Sequence, residues 1–244
     1  ARRAGMTSSA KNTPWHGALI EGATATLWTF DAGRTIGPAQ TETLPDNTII
    51  AGDSSYTSAV PCPVIPDALP SSGSQRVLPT VTQAAPRDRL TWARVAAIGF
   101  QSLNPEWDGI LCLPGHDTTY WVHLSAKEIV SFQGCATPQL AHSLNAGTTA
   151  DTEAAEQTMS RPANLAAQIH TAQVSQNANA LLGHLLGAEI AATRPYWLGQ
   201  EVALIGTTPI TEAYATILNA QHVPLIRADG AKMVEKGFQI LNAL

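Results

Sequence analysis

The stretch Val202-Ala203-Leu204-Ile205-Gly206-Thr207-Thr208-Pro209-Ile210-Thr211-Glu212-Ala213-Tyr214 decides the fold class. A short apolar run ends at Gly206, and Thr208 stands where a cap would, just before a proline that lacks only the amide left unpaired at a helix start. Ile210, Tyr214, Ile217 and Leu218 then recur at helical spacing. Upstream, Leu181, Leu182, Leu185, Leu186, Ile190 and Ala191 stripe one face of another helix. Downstream, Val223 to Ile226 reads as a second strand and Ala231 to Leu241 as a last helix. The order is that of an alternating α/β unit. A glycine turn between a strand and a helix start offers backbone amides and a partial positive charge to an anion. The same turn also serves simply as a tight packing bend, so Gly206-Thr207-Thr208 carries two readings.

Composition narrows the function. The chain has 244 residues, 44% hydrophobic and 14% charged, enough apolar content for a substantial core. So low a charge is compatible with a homodimer that hides part of its surface. Net charge is −5, and the ten arginines and four lysines are scattered, which excludes the basic stripe needed to hold nucleic acid. No apolar run reaches the roughly 20 residues of a membrane span, and no charged-then-apolar leader opens the chain, so a cytoplasmic location is expected. Cys62, Cys112 and Cys135 are odd in number and lack CxxC spacing, which reads as packing rather than as disulfides or zinc ligands. Residues 1–14 read as a loose arm.

Gly183 to Trp197 (GHLLGAEIAATRPYW) and Val202 to Phe238 (VALIGTTPITEAYATILNAQHVPLIRADGAKMVEKGF) resemble the C-terminal end of the 2-dehydro-3-deoxygalactonokinase family. Upstream landmarks at Ala51-Gly52, Leu113-Pro114-Gly115, Phe132 and His142-Ser143-Leu144 extend the likeness over nearly the whole chain. The resemblance implies a shortened form of the two-lobed actin-like ATPase (ribonuclease H-like) sugar-kinase fold. The N-terminal lobe would span 13–100 and the C-terminal lobe 101–244. It implies ATP and Mg2+ as cofactors, a small sugar acid as the partner, and phosphoryl transfer to an alcohol. The Gly206-Thr207-Thr208 turn would lie near the adenosine.

The family's two phosphate hairpins are only partly matched. In the first, Gly22 and Thr24 fit the phosphate-facing pattern, but Ile20 stands at the metal-binding aspartate position, Ala25 at the asparagine and Leu27 near the arginine. Glu21 is the adjacent carboxylate. Strand alternation points it away from the side of Ile20, and a bulge would bring it back to serve as the metal ligand. In the second, Pro114-Gly115-His116-Asp117-Thr118 keeps proline, glycine and histidine with a one-residue shift and lacks the lysine. Gly115 and Thr118 would face the phosphates.

Phosphoryl transfer to an alcohol needs an oriented base and little other covalent chemistry, which makes Asp117 the candidate base and His116 its positioning neighbour. The alternative for Asp117 is a turn aspartate bonding its own backbone. A helix over Arg89 to Gln101 would carry Arg94 as a clamp on the substrate carboxylate, or as a plain solvated arginine. The other histidines show no HxxxH or HExxH pair and read as packed or solvated. So many departures leave a second function class open, a catalytically degenerate homologue that binds a metabolite or nucleotide.

Overall fold

The computed structural model describes residues 13–244; the segment 1–12 of the expected arm lies outside the described residues. Ten strands come first: β1 (Trp15–Glu21), β2 (Thr24–Asp31), β3 (Arg34–Thr41), β4 (Thr48–Ala51), β5 (Thr57–Ala59), β6 (Cys62–Pro63), β7 (Ser71–Ser72), β8 (Gln75–Val77), β9 (Thr80–Ala84) and β10 (Arg87–Leu90). Helix α1 (Ala93–Leu103) leads to β11 (Gly109–Pro114), β12 (Thr119–Ser125) and β13 (Glu128–Cys135). Helices α2 (Thr137–Ser143), α3 (Thr152–Ser160), α4 (Leu165–Val174), α5 (Ala178–Ala192) and α6 (Arg194–Trp197) follow, then β14 (Val202–Ile205), α7 (Pro209–Ala220), β15 (Leu225–Ala228) and α8 (Gly230–Asn242).

Two six-stranded sheets share one connectivity. In the first, ordered β3-β2-β1-β4-β8-β7, an antiparallel meander is extended by β4 parallel to β1 and β8 parallel to β4. In the second, ordered β15-β14-β11-β12-β13-β6, the β11–β12–β13 meander is extended by β14 parallel to β11 and β15 parallel to β14. The fold is mixed α/β. The hairpin turns follow their residues: Gly22 has φ +59° at the first of two turn positions, the place a II′ turn reserves for glycine.

Burial explains the layering. Every residue of Gly109–Pro114 is buried, so β11 reads as a continuous apolar run with a helical layer on each side. Leu111 and Leu113 pack in a core with α1, α8 and the first sheet's Trp28 and Ile49. Their alternates Ile110 and Cys112 pack in a second core with α5 and α7. Between the two sheets α1 and α8 meet at glycines: a Cβ on Gly99 would strike the Met233 carbonyl, and one on Gly237 the Val95 carbonyl.

Several boundaries correct the sequence reading. Arg89 and Leu90 are strand, because β10 pairs antiparallel with β9 in a separate three-stranded sheet, and the helix starts only at Ala93. The last strand begins at Leu225, two residues late. The polar segment 145–161 holds α3, whose first turn is capped by Asp151 accepting from Ala154 N at 3.1 Å. The division expected at residue 100 falls inside α1, and β6, from the first hundred residues, pairs with β13 of the second sheet. All three cysteines are free. Among the described residues no helix is long and apolar enough to cross a membrane.

Candidate functional site

The β1–β2 turn at Gly22 and the β11–β12 turn at Gly115 to Thr118 face each other. A methyl placed on Gly22 would come within 2.8 Å of Asp117 Oδ2. The Glu21 carboxylate crosses the gap: Oε1 accepts the backbone N–H of Asp117 at 3.2 Å and also that of His116. Burial pushes the Glu21 carboxyl above its ordinary value, while those two N–H donors partly offset the rise. Asp117 Oδ1 lies 2.7 Å from His116 Nδ1, and the Asp117 carbonyl accepts Gln139 N at 3.2 Å, which ties the second turn to α2.

These turns open on a cleft of about 680 Å³. Glu21, Gly115 and His116 line one part of it, and Gly206, Thr207 and Thr208 another. Trp28, Trp92, Leu113 and Val234 form apolar walls. Among the described residues lining it there is no lysine or arginine; Glu21, His116 and His142 are its ionisable groups.

The third turn is shaped by close packing. Gly206 has φ +152°, a Cβ there would meet Thr211, and its N–H donates to the Ala228 carbonyl at 2.9 Å. Thr208 occupies the position before Pro209 without bonding a first-turn amide; its Oγ1 lies 3.0 Å from Thr211 Oγ1. Beside it, Asp229 caps α8 by accepting from Lys232 N at 3.0 Å.

The structure thus gathers Glu21, Gly115, His116, Gly206, Thr207 and Thr208 around one cleft, with Gly22 and Asp117 in the hairpins at its edge. Thr24 pairs with Glu21 at the base of the first turn, and the Thr118 carbonyl accepts Gly115 N at 3.0 Å, closing the second. Arg94 is elsewhere. It is 1% exposed and gives its guanidinium to the carbonyls of Val64, Pro79 and Pro63, so it ties the end of β6 to the β8–β9 connection and cannot clamp a substrate carboxylate.

The fold also brings two histidines together. His142, on α2, comes to 4.7 Å ring to ring from His116, and one nitrogen or oxygen atom of each of these two side chains and of Asp117 lies within 4.8 Å of the others. No local spacing signals this, since the residues meet only through the tertiary fold.

Solved structures share the fold. The chain superposes on a candidate 2-dehydro-3-deoxygalactonokinase from Sinorhizobium meliloti with a TM-score of 0.78 at 17% identity, covering 93% of this chain and 97% of that one. It also matches component A of (R)-2-hydroxyglutaryl-CoA dehydratase from Acidaminococcus fermentans, with a TM-score of 0.50 at 9% identity, covering 92% and 94% of the two chains. At such identities the likeness is one of fold. Residues 161–241 match the model of the 2-keto-3-deoxy-galactonokinase family, and the resemblance read from the sequence to that family therefore stands. No curated protein matches the chain significantly.

Proposed function

We propose that the protein is an ATP-dependent kinase of a sugar acid, 2-dehydro-3-deoxygalactonate or a close relative, working as a shortened two-lobed actin-like ATPase. The observation that supports it is the convergence of three glycine turns, at Gly22, Gly115 and Gly206, on one cleft.

Turn amides suit phosphate oxygens, and the first turns of α7 and α8 add their partial positive charge. Magnesium takes oxygen ligands, commonly one or two carboxylates with phosphates and water, and Glu21 is the single carboxylate among the described lining residues. The donor set fits a magnesium nucleotide once Glu21 turns from the amides of His116 and Asp117 to the metal. The nucleotide supplies the phosphoryl group. Asp117, oriented by His116, takes the proton of the attacking hydroxyl, and the apolar walls exclude water that would compete as acceptor.

A second reading has its own support. Glu21 already sits in the amides that would cradle phosphate, and the cleft lacks lysine and arginine, as suits a homologue that binds a ligand without transferring phosphate. Thermal shifts with Mg-ATP and with the sugar acid, followed by a coupled transfer assay, separate the two. A ligand at 100 times its dissociation constant stabilises by about 2.7 kcal/mol. Stabilisation with turnover establishes the kinase, stabilisation without turnover the binding protein, and no shift with either ligand refutes both.

A further inference from the structure

We infer that His116, Asp117 and His142 form a binding site for a divalent transition metal of the zinc or cobalt type, whose open coordination position faces the cleft. The inference goes beyond the proposed kinase reading and does not rest on it.

The three residues come from two elements held in register. His116 and Asp117 belong to the β11–β12 turn, and His142 to α2, whose first turn donates Gln139 N to the Asp117 carbonyl at 3.2 Å. Glu21, accepting from the amides of His116 and Asp117, holds the turn from the opposite side. One ligand atom from each of the three side chains lies within 4.8 Å of the others. Two atoms bound to one tetrahedral zinc at about 2.0–2.1 Å stand about 3.3 Å apart. Both imidazoles are on exposed residues, and their rotation is the motion that must close that difference.

Ligand chemistry selects the metal. Two imidazoles and one carboxylate suit zinc, cobalt or iron, whereas magnesium prefers an all-oxygen shell. Three protein ligands leave a coordination position open, the arrangement in which a metal binds an exogenous ligand. His116 and His142 both line the cleft, so that position is turned toward its contents. The cleft has no lysine or arginine among its described lining residues, yet its turn amides invite an anion. A dication at this point supplies the missing positive charge and binds a carboxylate or phosphate oxygen. It also engages the Asp117 carboxylate, which would withdraw that group from service as a base.

The test is equilibrium dialysis of the whole protein against Zn2+, paired with visible spectra of the Co2+-loaded protein, neither of which reads kinase activity. One metal per chain and a cobalt d–d spectrum that changes on adding inorganic phosphate are expected. His142→Ala removes an exposed side chain and should weaken zinc binding by more than the roughly 10- to 100-fold typical of losing an outer-shell partner. His170→Ala, an exposed histidine elsewhere, should leave it unchanged. Absence of stoichiometric binding, equal binding by His142→Ala, or a cobalt spectrum indifferent to phosphate overturns the inference. No nucleotide or sugar acid is used, so none of these outcomes reads phosphoryl transfer itself; a confirmed site would take only the base role from Asp117.

Discussion

The Glu21 carboxylate, on the first hairpin, accepts the backbone N–H of Asp117 on the second at 3.2 Å, across 96 residues of sequence. The contact joins the two hairpins, and it fills with the protein's own negative charge the amides that would otherwise receive a phosphate. A bound anion therefore competes with Glu21.

Replacing Glu21 by glutamine keeps an acceptor for the amides but removes the charge that repels an anion. Metal-free ADP should bind Glu21→Gln roughly tenfold more tightly than the native protein, a gain of about 1.4 kcal/mol. Magnesium should improve nucleotide binding less in the variant, which has lost the carboxylate. Isothermal titration with and without magnesium checks both. In the native protein burial raises the Glu21 pKa, so the affinity gap should shrink as pH falls through that raised value and Glu21 becomes neutral.

Asp117→Asn tests the base. The side chain is 40% exposed, so the substitution should leave the melting temperature nearly unchanged. Turnover should fall by about 10²–10⁴, the usual contribution of a positioned general base. Unchanged turnover would remove Asp117 from the base role.

Local chemistry made much of this legible. Gly206 and Pro209 marked the β14–α7 junction because a bend and an amide-free helix start leave residue-type signatures. Residues 110–113 form an unbroken apolar run because both faces of β11 are covered, a pattern visible in the letters themselves. Helix α3 was hidden because only Ala154, Ala155 and Thr158 are buried, too small a face to stand out among Glu153, Glu156 and Gln157. Arg94 misled for a different reason: its charge suggested a ligand, but its partners are the carbonyls of Pro63, Val64 and Pro79, and nothing local announces them. The Glu21–Asp117 contact is a product of the two sheets coming together, and the His116–His142 contact of α2 folding back on the β11–β12 turn, neither of which a spacing rule encodes.

Glu189 tests how burial sets pH dependence. Its carboxylate lies inside the second core, where Trp121 Nε1 donates to Oε1 at 2.7 Å and the Tyr214 hydroxyl to Oε2 at 2.7 Å. Burial raises its pKa above 4.5, partly offset by hydrogen bonds from Thr137, Trp121 and Tyr214. A raised folded-state pKa means that the folded protein holds the proton more tightly. The associated stability is complete below the unfolded value and is lost as pH rises through the folded one. Glu189→Gln cannot titrate, so its melting temperature relative to native should climb as pH rises through that window. Glu189→Ala should be destabilised at every pH, because each buried donor left unpaired costs about 1–3 kcal/mol. A pH-independent difference between Glu189→Gln and native would refute the account.

Gly115→Ala probes the hairpin contact by volume instead of charge. A Cβ at this position would collide with Glu21 Oε1 and with Trp92 Cζ2, and would stand 2.9 Å from the Thr118 carbonyl. Glu21 can swing away. Trp92 is 8% exposed within the main core, and the carbonyl is fixed by its bond from Gly115 N, so neither can give way cheaply. Overpacking of this kind costs about 1–3 kcal/mol, which should appear as a lower denaturant midpoint with an unchanged slope. The double variant Gly115→Ala/Glu21→Ala separates the two collisions. If most of the loss persists when Glu21 is gone, the tryptophan wall limits the turn; if most is recovered, the carboxylate does. A single variant as stable as native would mean that the two hairpins do not approach as closely as Glu21 and Asp117 require.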